Sequence, residues 1–186
     1  MNFACPCGVT IEGADIQALG DAFIAHVRED HQDWPYPDMS VRNFAEATQR
    51  LTGSSERLES IGDIAVHPVT ADRIDDWLQL FDHDAFVGNP EWAGCYCLEP
   101  HTASPEQPEM EEAHWSDRRA QMCDRLRDGG SYGYLAYVDG KPAGWVNASR
   151  RADYGLYRLG EGADPADADV VGISCFIIAP PYRRHR

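Results

Sequence analysis

The strongest constraint on how this chain folds is a strand–turn–strand run followed, some twenty residues later, by one long apolar stretch. Tyr132 to Val138, the pair Asp139-Gly140, and Ala143 to Ser149 read as an antiparallel hairpin, because Asp-Gly favours the positive-φ turns that match strand twist. Val170 to Ile178 is nearly continuous in apolar residues, the pattern of a central strand covered on both faces. Pro180-Pro181 ends it, since proline cannot donate to a ladder. Upstream, Ile64 and Val66 alternate as in a strand, and Thr70 can cap a helix with Ile74, Trp77, Leu78 and Phe81 at core spacing. Val87 to Pro108 is irregular, Glu109 to Arg127 reads as a helix ended by Gly129-Gly130, and Gly160 to Asp169 is an acidic loop. Strands alternating with helices predict a mixed α/β (α+β) domain over residues 61–186.

The first fifty residues read differently. Asp15 can cap a helix running to about His31, with Ile16, Leu19, Phe23 and Val27 on one face. Trp34-Pro35-Tyr36-Pro37 breaks it, and Ser40 is expected to open a second helix with Val41, Phe44, Thr48 and Leu51 on one side. Leu51-Thr52-Gly53-Ser54-Ser55 marks the clearest boundary. The expected division is therefore a small Cys/His module over 1–53, a linker over 54–62 and a larger domain over 63–186. A segment of about fifty residues has little core of its own and needs a metal or a partner surface to be stable.

Candidate ligands for such a metal are Cys5, Cys7, His26 and His31. Cys5-x-Cys7 falls on a turn-rich stretch, and His26 and His31 are spaced as in Cys₂His₂ zinc sites. The C-x-C spacing is tighter than usual for such sites. Histidines five apart also differ by about 140° around a helix, so they flank the apolar stripe. The alternative is a thiol–histidine core without metal.

The charge balance limits partners. Lys and Arg number 16 against 31 Asp and Glu, a formal charge of −15. Such a surface repels nucleic acid and anionic lipid and attracts amines. No apolar run approaches the length of a membrane span, and Met1 to Gly8 lacks the pattern of a secretory signal. A cytoplasmic protein with reduced cysteines is the expectation, with no nucleic acid and no membrane as partner.

The run Tyr134-Leu135-Ala136-Tyr137-Val138-Asp139-Gly140-Lys141-Pro142-Ala143-Gly144-Trp145-Val146, followed by Ile173 to Ile178 and Ala179-Pro180-Pro181-Tyr182-Arg183-Arg184, resembles the central hairpin and acetyl-CoA strand of GNAT N-acetyltransferases. Trp92 to His101 and Ser149-Arg150-Arg151 are similar to one bacterial subgroup of that family, and the first fifty residues to a small bacterial Cys/His domain of unknown function. The resemblance spans roughly residues 63–186 and implies a mostly antiparallel sheet flanked by helices. It also implies transfer of acetyl from acetyl-CoA to a primary amine of a small-molecule or peptide acceptor, with a cationic one favoured by the acidic chain. Phe176, Ile177 and Ile178 would pair through their backbones with the pantetheine arm, like an added strand. Arg183, Arg184, His185 and Arg186 would begin the pyrophosphate loop. Arg186 stands where the family has its first glycine, so the expectation is a chain truncated within the motif, with a homodimer through the exposed central strand as one way to complete it.

A carboxylate or an ordered water serves as base in that chemistry; Asp169, Glu91 and Glu99 are the candidates here. Cys175 reads as a buried inert thiol, and Cys95, Cys97 and His101 as packing of a substrate loop. The second reading is a non-catalytic binding or regulatory protein, in which a zinc module is fused to a degenerate or truncated GNAT-like domain.

Overall fold

The computed structural model describes residues 1–102, 113–130, 132–156 and 170–185. The chain opens with a two-stranded antiparallel ribbon, β1 (Asn2–Ala4) and β2 (Thr10–Glu12). Helix α1 (Ile16–Asp30) follows, its start fixed by the Asp15 carboxylate, which accepts the Ala18 N–H at 2.8 Å. Leu19, Phe23 and Val27 line the buried face expected of it.

Helix α2 (Asp38–Arg50) begins two residues earlier than expected, at Asp38, with Pro37 as its cap. Pro37 sits at φ −66°, and its carbonyl takes the first helical hydrogen bond, from Val41 at 3.1 Å. The acidic Asp38 then faces the positive helix end, so Ser40 lies inside the helix. Val41 and Ala45 join Cys5, Ile11 and the face of α1 in a small core. Ala47 belongs to a second, larger core, so α2 has a side in each.

The larger core lies under a four-stranded antiparallel sheet in the order β3 (Ile64–Pro68), β4 (Gly133–Val138), β5 (Lys141–Arg150) and β6 (Val171–Ile178). Asp139 and Gly140 join β4 to β5 at φ 48° and 77°, both positive as the expected turn requires. Leu135, Tyr137, Ala143 and Trp145 point into the core. They pack against α3 (Ile74–Gln79), the π-helical turn Leu80–Asp84 that continues it, and α5 (Trp115–Arg127). Thr70 precedes a short 3₁₀ turn and makes no side-chain cap to the backbone. A short helix α4 (Glu99–Thr102) closes the segment after Trp92. Gly133 is sterically required, because a Cβ there would stand 2.1 Å from the Trp145 ring.

The opposite face of the sheet differs from the expectation. Strand register puts Ile64, Val66, Tyr134, Ile173 and Phe176 on one side, and among the described residues nothing covers it: Ile173 is 65% and Phe176 71% exposed. β6 was expected at the centre with both faces covered; in the described sheet it is an edge strand with one face open. Its continuous apolar sequence does not distinguish the two cases. No described helix is long and apolar enough to cross a membrane.

Candidate functional site

Two places concentrate chemistry-bearing groups. At the first, the turn between β1 and β2 is tied by Cys5 N–H to Val9 C=O and Gly8 N–H to Cys5 C=O, both at 2.8 Å, with Gly8 at φ 94°. That turn presents the Cys5 and Cys7 sulfurs to α1. His26 lies on the helix, while His31 has left it, capping its end at φ −132°, ψ 50°. Departure from helical phase removes the angular separation of the two histidines and brings their rings to 5.0 Å. The sulfur of Cys5 is then 3.5 Å from His31 Nε2, and that of Cys7 is 3.3 Å from His26 Nε2.

All four ligand atoms lie within 4.8 Å of one another. Tetrahedral zinc, with bonds of about 2.0–2.3 Å, separates its donors by about 3.3–3.8 Å, so this donor set fits a metal ion with little movement. His26 Nδ1 meets the Asp30 carboxylate at 2.8 Å, which leaves Nε2 as the coordinating atom, as outer partners of metal histidines commonly do. The Cys7 thiol is held down to about 6, first by the Val9 backbone N–H, whereas burial raises Cys5. The cluster Cys5, Cys7, His26 and His31 is thus able to hold a metal ion.

The second place is a groove of about 550 Å³ beside the free edge of β6, walled by Phe86, Trp92, Cys95, Cys175, Phe176 and Arg183 among others. Opposite Asn147 and Ala148, β6 carries one extra residue, Ser174, between Ile173 and Cys175, a bulge that re-aims the strand end. Beyond it, Ala179 N–H bonds to Ala143 C=O at 2.8 Å. Alternation along the ladder therefore turns the polar backbone of Ile177 towards β5, and that of Phe176 and Ile178 outward.

The residues singled out in the sequence do not all meet here. Phe176, Ile177, Ile178 and Arg183 line this groove, while Arg184 and His185 line a separate hollow of about 810 Å³ with Arg57 and Glu59. The Arg183 guanidinium donates to Ile178 C=O at 2.7 Å and to Ala85 C=O at 3.2 Å. Glu91 is exposed beside Trp92, its carboxylate 3.4 Å from the Asn89 amide. Glu99 is exposed at the start of α4 and does not line the groove. Asp169 and Arg186 lie outside the described residues.

Glu46 had no signal in the sequence, and for His101, Cys97 and Cys175 the sequence pointed to burial or packing but not to the partners. Glu46, 2% exposed, accepts from Trp115 Nε1 at 2.6 Å and meets His114 Nε2 at 2.9 Å, joining α2 to α5. His101 is buried against Tyr154 and Asn147, and desolvation holds its imidazole down to about 4. Cys97 and Cys175, 78 residues apart, bring their sulfurs to 2.7 Å beside the groove, which Cys175 lines. Compared with known proteins, the chain matches no family model, no curated protein and no solved structure.

Proposed function

We propose that the sheet domain is an N-acetyltransferase of the GNAT type, acting on a primary amine, and that the N-terminal cluster holds zinc as a structural staple. The observation that carries the first reading is the end of β6: a bulge, then outward-facing backbone groups on Phe176 and Ile178, beside a groove of ligand size. An extended amide chain can add to such an edge as a further strand. Acetyl-CoA supplies an activated acyl group together with that amide-bearing arm. The N–H of Phe176 would donate to the arm, the wall from Phe86 to Trp92 would exclude water from it, and Arg183 would turn from its carbonyl partners to meet phosphate oxygens. Glu91 does not itself line the groove but stands between the lining residues Asn89 and Trp92, so of the described candidates it is the one proposed to accept the proton of an incoming ammonium at its carboxylate oxygen. The acidic surface favours cationic acceptors.

Calorimetry with acetyl-CoA tests this. Micromolar binding by the zinc-loaded chain is expected, with at least a tenfold loss in Phe176→Pro, which removes the outward N–H, and near-normal binding in Phe176→Ala. A folded chain that binds no acetyl-CoA would sink the reading. The non-catalytic reading is favoured by one observation, the engagement of Arg183 with two backbone carbonyls, and that same outcome would select it. The zinc reading rests on the four converging donors. Metal analysis should find one zinc per chain, and none in Cys7→Ser or His26→Ala.

A further inference from the structure

We propose that Cys97 and Cys175 form a dithiol–disulfide pair, a modification site that a hydroperoxide reaches through the groove beside β6. The two thiols come from distant parts of the chain, Cys97 from the segment before α4 and Cys175 from the bulged part of β6. Their sulfurs are already 2.7 Å apart, well inside ordinary non-bonded contact. A disulfide needs about 2.05 Å, so closing the bond asks for less than about 1 Å of movement. Cys97 is buried, whereas Cys175 lines the groove and is partly exposed. An oxidant entering the groove therefore meets Cys175 and Cys95, and Cys97 waits behind Cys175 in contact.

The steps balance. The Cys175 sulfur attacks one oxygen of the peroxide; the O–O bond breaks, Cys175 becomes a sulfenic acid, and the other oxygen leaves as water or alcohol. The Cys97 sulfur then displaces the sulfenic hydroxyl, which leaves as water with the Cys97 proton. Two thiols have lost two electrons and two protons, and one hydroperoxide has been reduced. Burial raises Cys97 well above the usual thiol range, so it stays protonated until proximity drives the second step.

A third thiol shares the groove. Cys95 Sγ accepts the Cys97 N–H at 3.5 Å, and Cys95 is held down to about 7, first by its hydrogen bond with the Cys97 side chain. A thiolate there is a good leaving group, so a mixed disulfide formed through Cys95 would pass on to the Cys97–Cys175 pair. The finished bond would staple β6 to the segment Trp92–Leu98 beside the groove, whatever the groove binds.

The test treats the zinc-loaded full chain with stoichiometric hydrogen peroxide, blocks remaining thiols by alkylation, and maps peptides without reduction. Expected are a loss of two hydrogens, a cross-linked pair of peptides carrying Cys97 and Cys175, full reversal by dithiothreitol, and a melting temperature several degrees higher when oxidised. Cys175→Ser should abolish the cross-link and keep the wild-type circular dichroism spectrum, while Cys95→Ser should retain it. Irreversible oxidation at Cys95 or Cys175 without the cross-link, or bridging of Cys5 to Cys7 while Cys97 and Cys175 remain free, would overturn the proposal.

Discussion

The core between the N-terminal ribbon, α1 and α2 gathers a few apolar side chains around Phe23, whereas the core under the four-stranded sheet packs Trp77, Phe81, Tyr96 and Trp145 into one continuous cluster. Their means of support differ accordingly. A core as small as the first barely offsets the entropy of ordering its backbone, and the four donors able to hold a metal converge beside it, between the ribbon turn and the end of α1. The core under the sheet has enough buried aromatic area to do without one. Helix α2 belongs to both, with Val41 and Ala45 on one side and Asn43, Glu46 and Arg50 on the other. Arg50 lies over the Trp115 ring at 3.9 Å and donates to Tyr96 Oη at 2.6 Å.

Metal removal gives the largest expected contrast. On the zinc reading proposed above, stripping the metal with a chelator should melt α1 and the ribbon, an effect on the order of 10 kcal/mol by analogy with zinc-stapled peptides, while near-ultraviolet signals of the buried tryptophans persist. Simultaneous loss of both signals would show that α2 makes the two regions one cooperative unit. Trp145→Ala is the converse experiment. It should cost about 3–5 kcal/mol in urea unfolding and leave zinc stoichiometry at one. Glu46→Ala strikes the joint, removing the acceptor of Trp115 Nε1 and the partner of His114. It should cost about 3–4 kcal/mol in urea unfolding and weaken the coupling between the two cores.

The smallest effect concerns pH. The folded-state pKa of His101 is lowered to about 4 by desolvation, below its usual value of about 6.5. Between those values the unfolded chain binds the extra proton, so stability should fall as pH drops from about 6.5 to 4, by up to about 3 kcal/mol, and level off below. His101→Gln should flatten that part of the profile in denaturant titrations.

Local signals were legible where one residue fixes a conformation. Asp139-Gly140 specified the turn, Asp15 the start of α1, and the apolar spacing its buried face. The four candidate metal ligands were legible as residue types, but their convergence depends on His31 leaving the helix, which the helical period alone does not reveal. Asn43, Glu46 and Arg50 have the spacing of a solvated helix face. Only the tertiary approach of His114, Trp115 and Tyr96 makes them interior. The Cys97–Cys175 contact is set by how β6 meets a distant loop, so no spacing rule encodes it. β6 itself has the composition of an interior strand and lies at an edge of the described sheet.

The open face of the sheet bears on how the protein behaves as a colloid. Ile64, Val66, Tyr134, Ile173 and Phe176 are exposed together on that face, and mutual repulsion between molecules of formal charge −15 should keep the molecules dispersed. Ionic strength near 0.1 M shortens the reach of that repulsion to about 10 Å, and sulfate or phosphate strengthens apolar adhesion at the same time. The chain should therefore be freely soluble in dilute buffer, precipitate early in ammonium sulfate, and be retained strongly on a phenyl column.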